Sequence, residues 1–390
     1  MAAPRFFFRK PSAMLKRMLT KHHILTPALL LDLDAFEANL ARMAAHVKAS
    51  GKNLRPHVKA HKCSEIAKRQ IAAGAVGVCV ATLAEAELMA RAGVGGMLLT
   101  SPVADPKKIE RIVDTRAMVV VDHWQQAAWY QQAAQAADRV VDMLVDLDIG
   151  DHRTGAPFAQ AVEIAEMIDK ASHLKFRGLQ AYSVAGSHAA EGEERNRISR
   201  DTYGRAAEVR VALRAKGLAA EILSGGSTGT WQVDTALPEL TELQAGSYVM
   251  MDLAYARAGL DFRHAMTVLA TVVSANHQGF VTVDAGFKAF STDRGYGPEA
   301  VNLPGAQYRW GGDEFGYVDF RGAATGAQHL RPEVLVQTQT GGGVSNNILN
   351  LGSRVEFIPP HCDPTANLYD TLYVCRGERV EAVWPLKRLA

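Results

Sequence analysis

The chain has 390 residues, with 43 Lys and Arg against 41 Asp and Glu, and 48% hydrophobic residues. The near-neutral balance excludes a protein that grips nucleic acid through a basic stripe, and the apolar fraction excludes a disordered chain. No apolar run approaches the roughly 18 residues of a membrane span, so no membrane partner is expected. The four cysteines, Cys63, Cys79, Cys362 and Cys375, form no CxxC pair. They make neither a disulfide framework nor a zinc ribbon, which points to a reducing, cytoplasmic setting.

Residues 1–27 read as a basic arm: Arg5, Arg9, Lys10, Lys16, Arg17 and Lys21 all precede the first acid, Asp32. An organelle-targeting segment shares that character, but it would carry more serine. A strand at 28–36 (ALLLDLDAF) follows and is expected to join a sheet formed by the C-terminal part of the chain. Eight strand-like apolar runs then span residues 37–262: LRPHVKA (54–60), VGVCVA (76–81), MLLTSPV (97–103), MVVVDH (118–123), VDMLVDLD (141–148), FRGLQAYS (176–183), EILSGG (221–226) and ELQAGSY (242–248). Their nearly continuous apolar character suits parallel strands covered on both faces. Helical segments lie between them. CSEIAKRQIAAG (63–74) and TLAEAELMARAG (82–93) both stop at glycine, and DPKKIERIVD opens with Asp105 as a cap and Pro106 in the first turn. Eight strands alternating with helices predict an α/β fold, a (β/α)8 TIM barrel. From 263 to 390 the texture changes to short strands with turn residues, among them MTVLATVVSA, GFVTVDAGF, YVDFRG, EVLVQTQT, SRVEFIP, NLYDTLYVCRG and ERVEAVWPL. This predicts an antiparallel β domain.

Barrel chemistry sits where strands end at the C-terminal face. The seventh strand runs into SGGSTGT (224–230) and the eighth into QAGSY (244–248). Barrels commonly bind phosphate in these two loops, and Ser224, Gly225, Gly226, Ser227 and Thr228, with Gly246 and Ser247, offer backbone N–H groups without obstructing side chains. Lys59 ends the first strand opposite this cradle, and its alternation matches Arg55 and His57. Desolvation there is expected to lower its pKa and free its amine for a Schiff base. A phosphate-bearing aldehyde, pyridoxal 5'-phosphate, satisfies both features. The fifth and sixth strand ends deliver Arg153, Gln180 and Tyr182, with His188 shortly after.

With TPALLLDLDAFEANL, RPHVKAHK, SGGSTGT, ELQAGSYVMMD and PPHCDPTANLYD in that order, the chain resembles the D-threonine aldolase and D-serine dehydratase family. These are fold-type III pyridoxal phosphate enzymes related to the N-terminal barrel of alanine racemase. The resemblance covers the chain from about Thr26 to Trp384. It implies that Lys59 carries the cofactor, that Arg153 and Tyr182 line it, and that Ser224, Gly226, Gly246, Ser247 and Tyr248 surround its phosphate. It adds a divalent metal on His361 and Asp363 of His361-Cys362-Asp363. On an extended segment these two side chains would point to one side and Cys362 away. The resembling dehydratases tend to have cysteine at the position of Asp363. A carboxylate there suits Mn²⁺ or Mg²⁺ better than Zn²⁺.

The implied reaction is cleavage of a β-hydroxy-D-amino acid, of the D-threonine or D-phenylserine type, to glycine and an aldehyde, with His188 as a candidate base. The alternatives are a D-serine or 3-hydroxy-D-aspartate dehydratase and a 3-hydroxy-D-aspartate aldolase. The last needs a cationic clamp, for which Arg294 and Arg257 are candidates. A non-catalytic pyridoxal phosphate carrier is a reading of another class. His57 and His61 flank the lysine and either stack on the cofactor or only pack. Asp313 is a candidate for an outer hydrogen bond to metal-bound water. The family is generally dimeric, so a homodimer acting on a small molecule is expected.

Overall fold

The structure, a computed structural model, describes residues 19–190, 192–321 and 349–386. Most of the basic arm, residues 1–18, and the run EVLVQTQT (333–340) lie outside the described residues. Strand β1 (Ala28–Asp32) leads straight into a helix, Leu33–Ser50, capped by the Asp32 carboxylate, which accepts from Ala35 N–H at 3.0 Å. That helix buries Phe36, Met43 and Val47.

Eight parallel strands follow: β2 (Asn53–Leu54), β3 (Val78–Val80), β4 (Met97–Leu99), β5 (Met118–Val121), β6 (Val141–Asp146), β7 (Leu174–Ala181), β8 (Ile222–Gly225) and β9 (Glu242–Leu243). They pair in the order β2-β9-β8-β7-β6-β5-β4-β3. The two ends meet through a parallel bridge between His57 and Cys79 and through N–H bonds from Val76 to Leu54 O and Cys79 to Pro56 O, each 2.9 Å. Cys79, Leu98, Val120 and Leu144 form a separate buried apolar cluster contributed by four adjacent strands, β3 to β6. Outer helices include Ser64–Ala72, Leu83–Arg91, Pro106–Thr115, Trp124–Ala136, Phe158–Lys170 and Glu193–Ala215. Asp105 caps its helix as the sequence suggests, accepting from Lys107 N–H at 2.9 Å.

Strand ends differ from the sequence reading at several points: the strand expected over 28–36 stops at Asp32, where the capped helix begins. The first barrel strand is regular only to Leu54, because Pro56 has no N–H to continue the ladder. Lys59 therefore sits in a 3-10 turn, Val58–Ala60, and strand alternation does not set its direction. Likewise ELQAGSY is strand only at Glu242–Leu243 and then coils into a turn at Ser247–Val249.

The second sheet contains β10 (Met266–Ser274), β11 (Phe280–Val283), β12 (Glu299–Ala300), β13 (Gln307–Trp310), β14 (Gly316–Asp319), β15 (Arg354–Ile358), β16 (Thr371–Arg376) and β17 (Arg379–Pro385). Its order is β13-β14-β11-β10-β1-β16-β17, with β15 beside β10 and β12 beside β15. β1 pairs antiparallel with β10 and parallel with β16, so this sheet is mixed rather than purely antiparallel. The segment after β15 reaches the barrel: Pro359 O accepts from Leu253 N–H at 3.2 Å, and Pro360 O from Ala254 N–H at 3.1 Å. That contact delivers His361 to the barrel mouth. Among the described residues no helix is long and apolar enough to cross a membrane.

Candidate active site at the barrel mouth

Polar side chains form the floor of the site. Arg55 grips Glu242 with two bonds, Nε to Oε1 at 2.8 Å and Nη2 to Oε2 at 2.7 Å, and both residues are buried. Ser224 Oγ donates to Glu242 at 2.7 Å and accepts from Gln244 Nε2 at 2.9 Å. Gln244 also donates to Gln180 Oε1, and Gln180 donates to Asp146 Oδ1 and to Thr100 O. The Ser224 hydroxyl is thus committed to the floor and is not a free phosphate donor. Burial pushes Asp146 up to about 6, against hydrogen bonds from Gln180 and Thr154.

The rest of the cradle has a different character. Ser227 is tied to Thr230, and Thr228 Oγ1 accepts from Tyr248 N–H at 3.1 Å. Among the described residues the N–H groups of Thr228, Gly246 and Ser247 meet no acceptor. Gly246 packs on the Lys59 turn so closely that a Cβ would lie 2.5 Å from His57 O, and Gly226 holds φ +75°. Gly225, at the end of β8, is as tightly placed: a Cβ there would lie 2.0 Å from Ala181 O. Unpaired N–H groups beside glycine close contacts fit a phosphate. Tyr248 is fully buried with its hydroxyl accepting from Gln70 at 3.3 Å, so it braces the cradle from behind.

Lys59 Nζ lies 3.8 Å from Asp363 Oδ2, with its side chain 42% exposed. Burial acts to lower its pKa, but Asp363 and Tyr182 outweigh it and the amine lies above its ordinary value. The expected lowering is reversed because a carboxylate faces the amine. Arg153 lies over the Tyr182 ring at 5.1 Å, and both act electrostatically on Lys59. His57 accepts from Lys59 N–H through Nδ1 at 3.4 Å and meets Thr100 Oγ1 through Nε2 at 3.0 Å. Thr100 spends its proton on Val80 O, so His57 is the neutral Nε2–H tautomer. His61 is fully buried, accepts from Cys63 N–H at 3.1 Å, and is pushed down to about 3 by burial. It packs behind the turn.

His361-Cys362-Asp363 is not extended. His361 starts a short helix, Cys362–Ala366. Cys362 does not point away: its thiol lies 3.2 Å from Asp363 Oδ1, and its N–H donates to Asp252 Oδ2 at 2.8 Å. Burial and Asp252 hold that thiol protonated. Ser247 Oγ donates to Asp363 Oδ1 at 3.1 Å, which joins the His361–Asp363 segment to the cradle. Burial would raise Asp363, but Lys59 and His361 hold it down to about 2.

His361 Nδ1 meets Asp293 Oδ2 at 2.8 Å, leaving Nε2 for a ligand; histidines that bind metals are commonly oriented in this way by a carboxylate. Among the described residues no three His, Cys, Asp or Glu side chains gather as a metal site. Two donors, one imidazole and one carboxylate, fit only an open ion completed by water or substrate oxygens.

Arg294 Nη2 donates to His188 Nε2 at 2.8 Å and lies 3.4 Å from His361 Nδ1. His188 Nδ1 points at Ser187 Oγ, which itself donates to Val184 O, so His188 is neutral with its Nε2 lone pair engaged by Arg294. Burial and Arg294 lower its pKa. Two other candidates are not brought in. Asp313 is exposed and meets Lys288 N–H through its carbonyl. Arg257 pairs with Glu299 at 2.7 Å and stacks on Tyr296 at 3.7 Å. Sequence reasoning missed Asp293, which sits in no motif, and Asp252, which closes ELQAGSYVMMD but was given no role; both reach the His361 segment from far along the chain.

The alanine racemase N-terminal domain profile matches residues 31–254, and the serine dehydratase domain profile matches residues 265–375. The chain belongs to the D-threonine aldolase and D-serine dehydratase family. It is 35% identical to the D-threonine aldolase of an Arthrobacter species, over 93% of this chain and 92% of that one. It is 33% identical to the 3-hydroxy-D-aspartate aldolase of Paracoccus denitrificans (strain Pd 1222), over 94% and 93%. The structure of D-threonine aldolase from Filomicrobium marinum superposes with a TM-score of 0.85 at 35% identity, covering 94% of this chain and 96% of that one. The protein is therefore a lyase of the fold-type III class, with an alanine racemase-like barrel and a second β domain.

Proposed function

We propose that this lyase cleaves the Cα–Cβ bond of β-hydroxy-D-amino acids, giving glycine and an aldehyde, with pyridoxal phosphate and a divalent ion. The carrying observation is that Lys59 Nζ lies 3.8 Å from Asp363, whose carboxylate also accepts from Ser247 of the cradle. Thr228, Gly246 and Ser247 would hold the phosphate, Lys59 the aldehyde carbon, and His361 with Asp363 the ion. Bound there, the cofactor would supply an electron sink for Cα and the ion would acidify the substrate hydroxyl. Asp293 fixes the His361 ring, and Ser247 fixes the Asp363 carboxylate. His188, neutral and beside the same ligands, can accept the hydroxyl proton once its lone pair is released.

A dehydratase would use the same parts, with the hydroxyl as leaving group. The Asp363 carboxylate, a hard oxygen donor beside the His361 imidazole, supports a hard-ion site rather than a zinc thiolate, and so favours the aldolase. Product analysis separates the readings. With cofactor and Mn²⁺, glycine plus an aldehyde is expected from D-threonine or 3-hydroxy-D-aspartate. A 2-oxo acid with ammonia would assign the dehydratase, and no turnover of any β-hydroxy-D-amino acid would leave a cofactor carrier.

A further inference from the structure

The Asp293–Arg294 loop is fastened to the His361 helix. Ser291 Oγ meets both the N–H and the carbonyl of His361 at 3.2 Å, and Ser291 N–H donates to Thr365 Oγ1 at 3.0 Å. The guanidinium is therefore carried on the same fastened segment as the His361–Asp363 pair. Its partners are poor in negative charge. Asp293 approaches Arg294 Nε at 3.4 Å but is shared with His361 at 2.8 Å, and Nη2 is spent on a neutral imidazole. Nη1 has no partner among the described residues, and the side chain stays 22% exposed.

We infer that Arg294 receives a carboxylate carried on the substrate's Cβ, so that the preferred substrates are β-hydroxy-D-amino dicarboxylic acids such as 3-hydroxy-D-aspartate. This rests on the aldolase reading above. On that reading the substrate amine enters at Lys59 and the β-hydroxyl at His361 and Asp363. A second substituent on Cβ is then one bond from the hydroxyl-bearing carbon, on the side of Arg294. Lys59 has a different cation beside it, Arg153, and Arg294 is not among the groups that shift it. Arg257, the other candidate clamp, is held by Glu299 and Tyr296. A planar guanidinium with open N–H groups binds a carboxylate in a bidentate way and prefers it to a neutral imidazole. The incoming carboxylate also takes the contact that covers His188 Nε2. Cleavage then breaks Cα–Cβ, passes the hydroxyl proton to a base and adds a proton at Cα, so that 3-hydroxy-D-aspartate gives glycine and glyoxylate.

The test compares kcat/KM for 3-hydroxy-D-aspartate and D-threonine in the cofactor- and Mn²⁺-loaded enzyme and in Arg294→Leu and Arg294→Lys. Calorimetric binding of D-malate, a dicarboxylate without an amine, gives a second readout independent of turnover. The wild type is expected to favour the dicarboxylate substrate. Arg294→Leu should lower that preference roughly 100-fold, mainly through KM, and abolish malate binding, with Arg294→Lys in between. Equal losses on both substrates, or malate binding unchanged in Arg294→Leu, would overturn the assignment while leaving the aldolase reading intact. Malate binding that depends on Arg294, with no aldehyde from either substrate, would uphold the carboxylate site and sink the aldolase reading instead.

Discussion

Lys59 and Lys62 are three residues apart and both near Asp363, yet their surroundings divide them. Lys62 Nζ donates to the Asp363 carbonyl at 3.2 Å from a buried position, and burial lowers its pKa. By pKa alone it is the better nucleophile. Its amine is occupied behind the His361–Asp363 segment, whereas that of Lys59 opens into the mouth. Lys59→Ala is expected to remove the visible absorption band of bound pyridoxal phosphate and Lys62→Ala to keep it; the reverse pattern would transfer the role. His61 gives a pH prediction. Folded, its pKa is about 3 against an ordinary 6.5. On acidification the unfolded chain takes a proton that the native one refuses. Stability is therefore complete well above pH 6.5 and falls as pH drops towards 3, by about 3 kcal/mol at pH 4.5. Denaturant titrations of His61→Asn should show a flatter acid limb. Asp293→Ala should weaken Mn²⁺ binding about 10- to 100-fold by calorimetry, since the His361 ring loses its orienting carboxylate.

At the scale of elements, two barrel strands are only two residues long, and buried polar bonds tie them together. Arg55 follows β2, Glu242 opens β9, and their bidentate pair crosses the seam where those strands meet. Glu242→Gln leaves a buried guanidinium half-paired and should cost about 3–5 kcal/mol by chemical denaturation. The same two short strands explain where the sequence reading slipped. LRPHVKA and ELQAGSY look like full strands by apolar content. Pro56 breaks the first ladder, and Gly246 lets the second loop fold onto His57. Alternation beyond those points carries no directional meaning, which is also why Cys362, in a helix rather than an extended segment, faces Asp363.

For the whole molecule, we propose a homodimer on the family resemblance, with a solution mass twice 42.2 kDa. Light scattering at micromolar concentration giving the mass of one chain would refute it. The sequence by itself determined the barrel and the β-rich second region, because the parallel strands are buried on both faces and read as unbroken apolar runs. It also offered the glycine-rich run and the His361-x-Asp363 pair as candidates, because those features are local in the chain. Only the tertiary structure decided that β1 bridges β10 and β16, that Asp293 and Arg294 meet His361, and that Ser224 belongs to the floor. Each of these depends on packing between segments tens to hundreds of residues apart. Periodicity along the chain cannot encode such contacts, since no local energy term distinguishes an aspartate in a loop from one aimed at a distant imidazole.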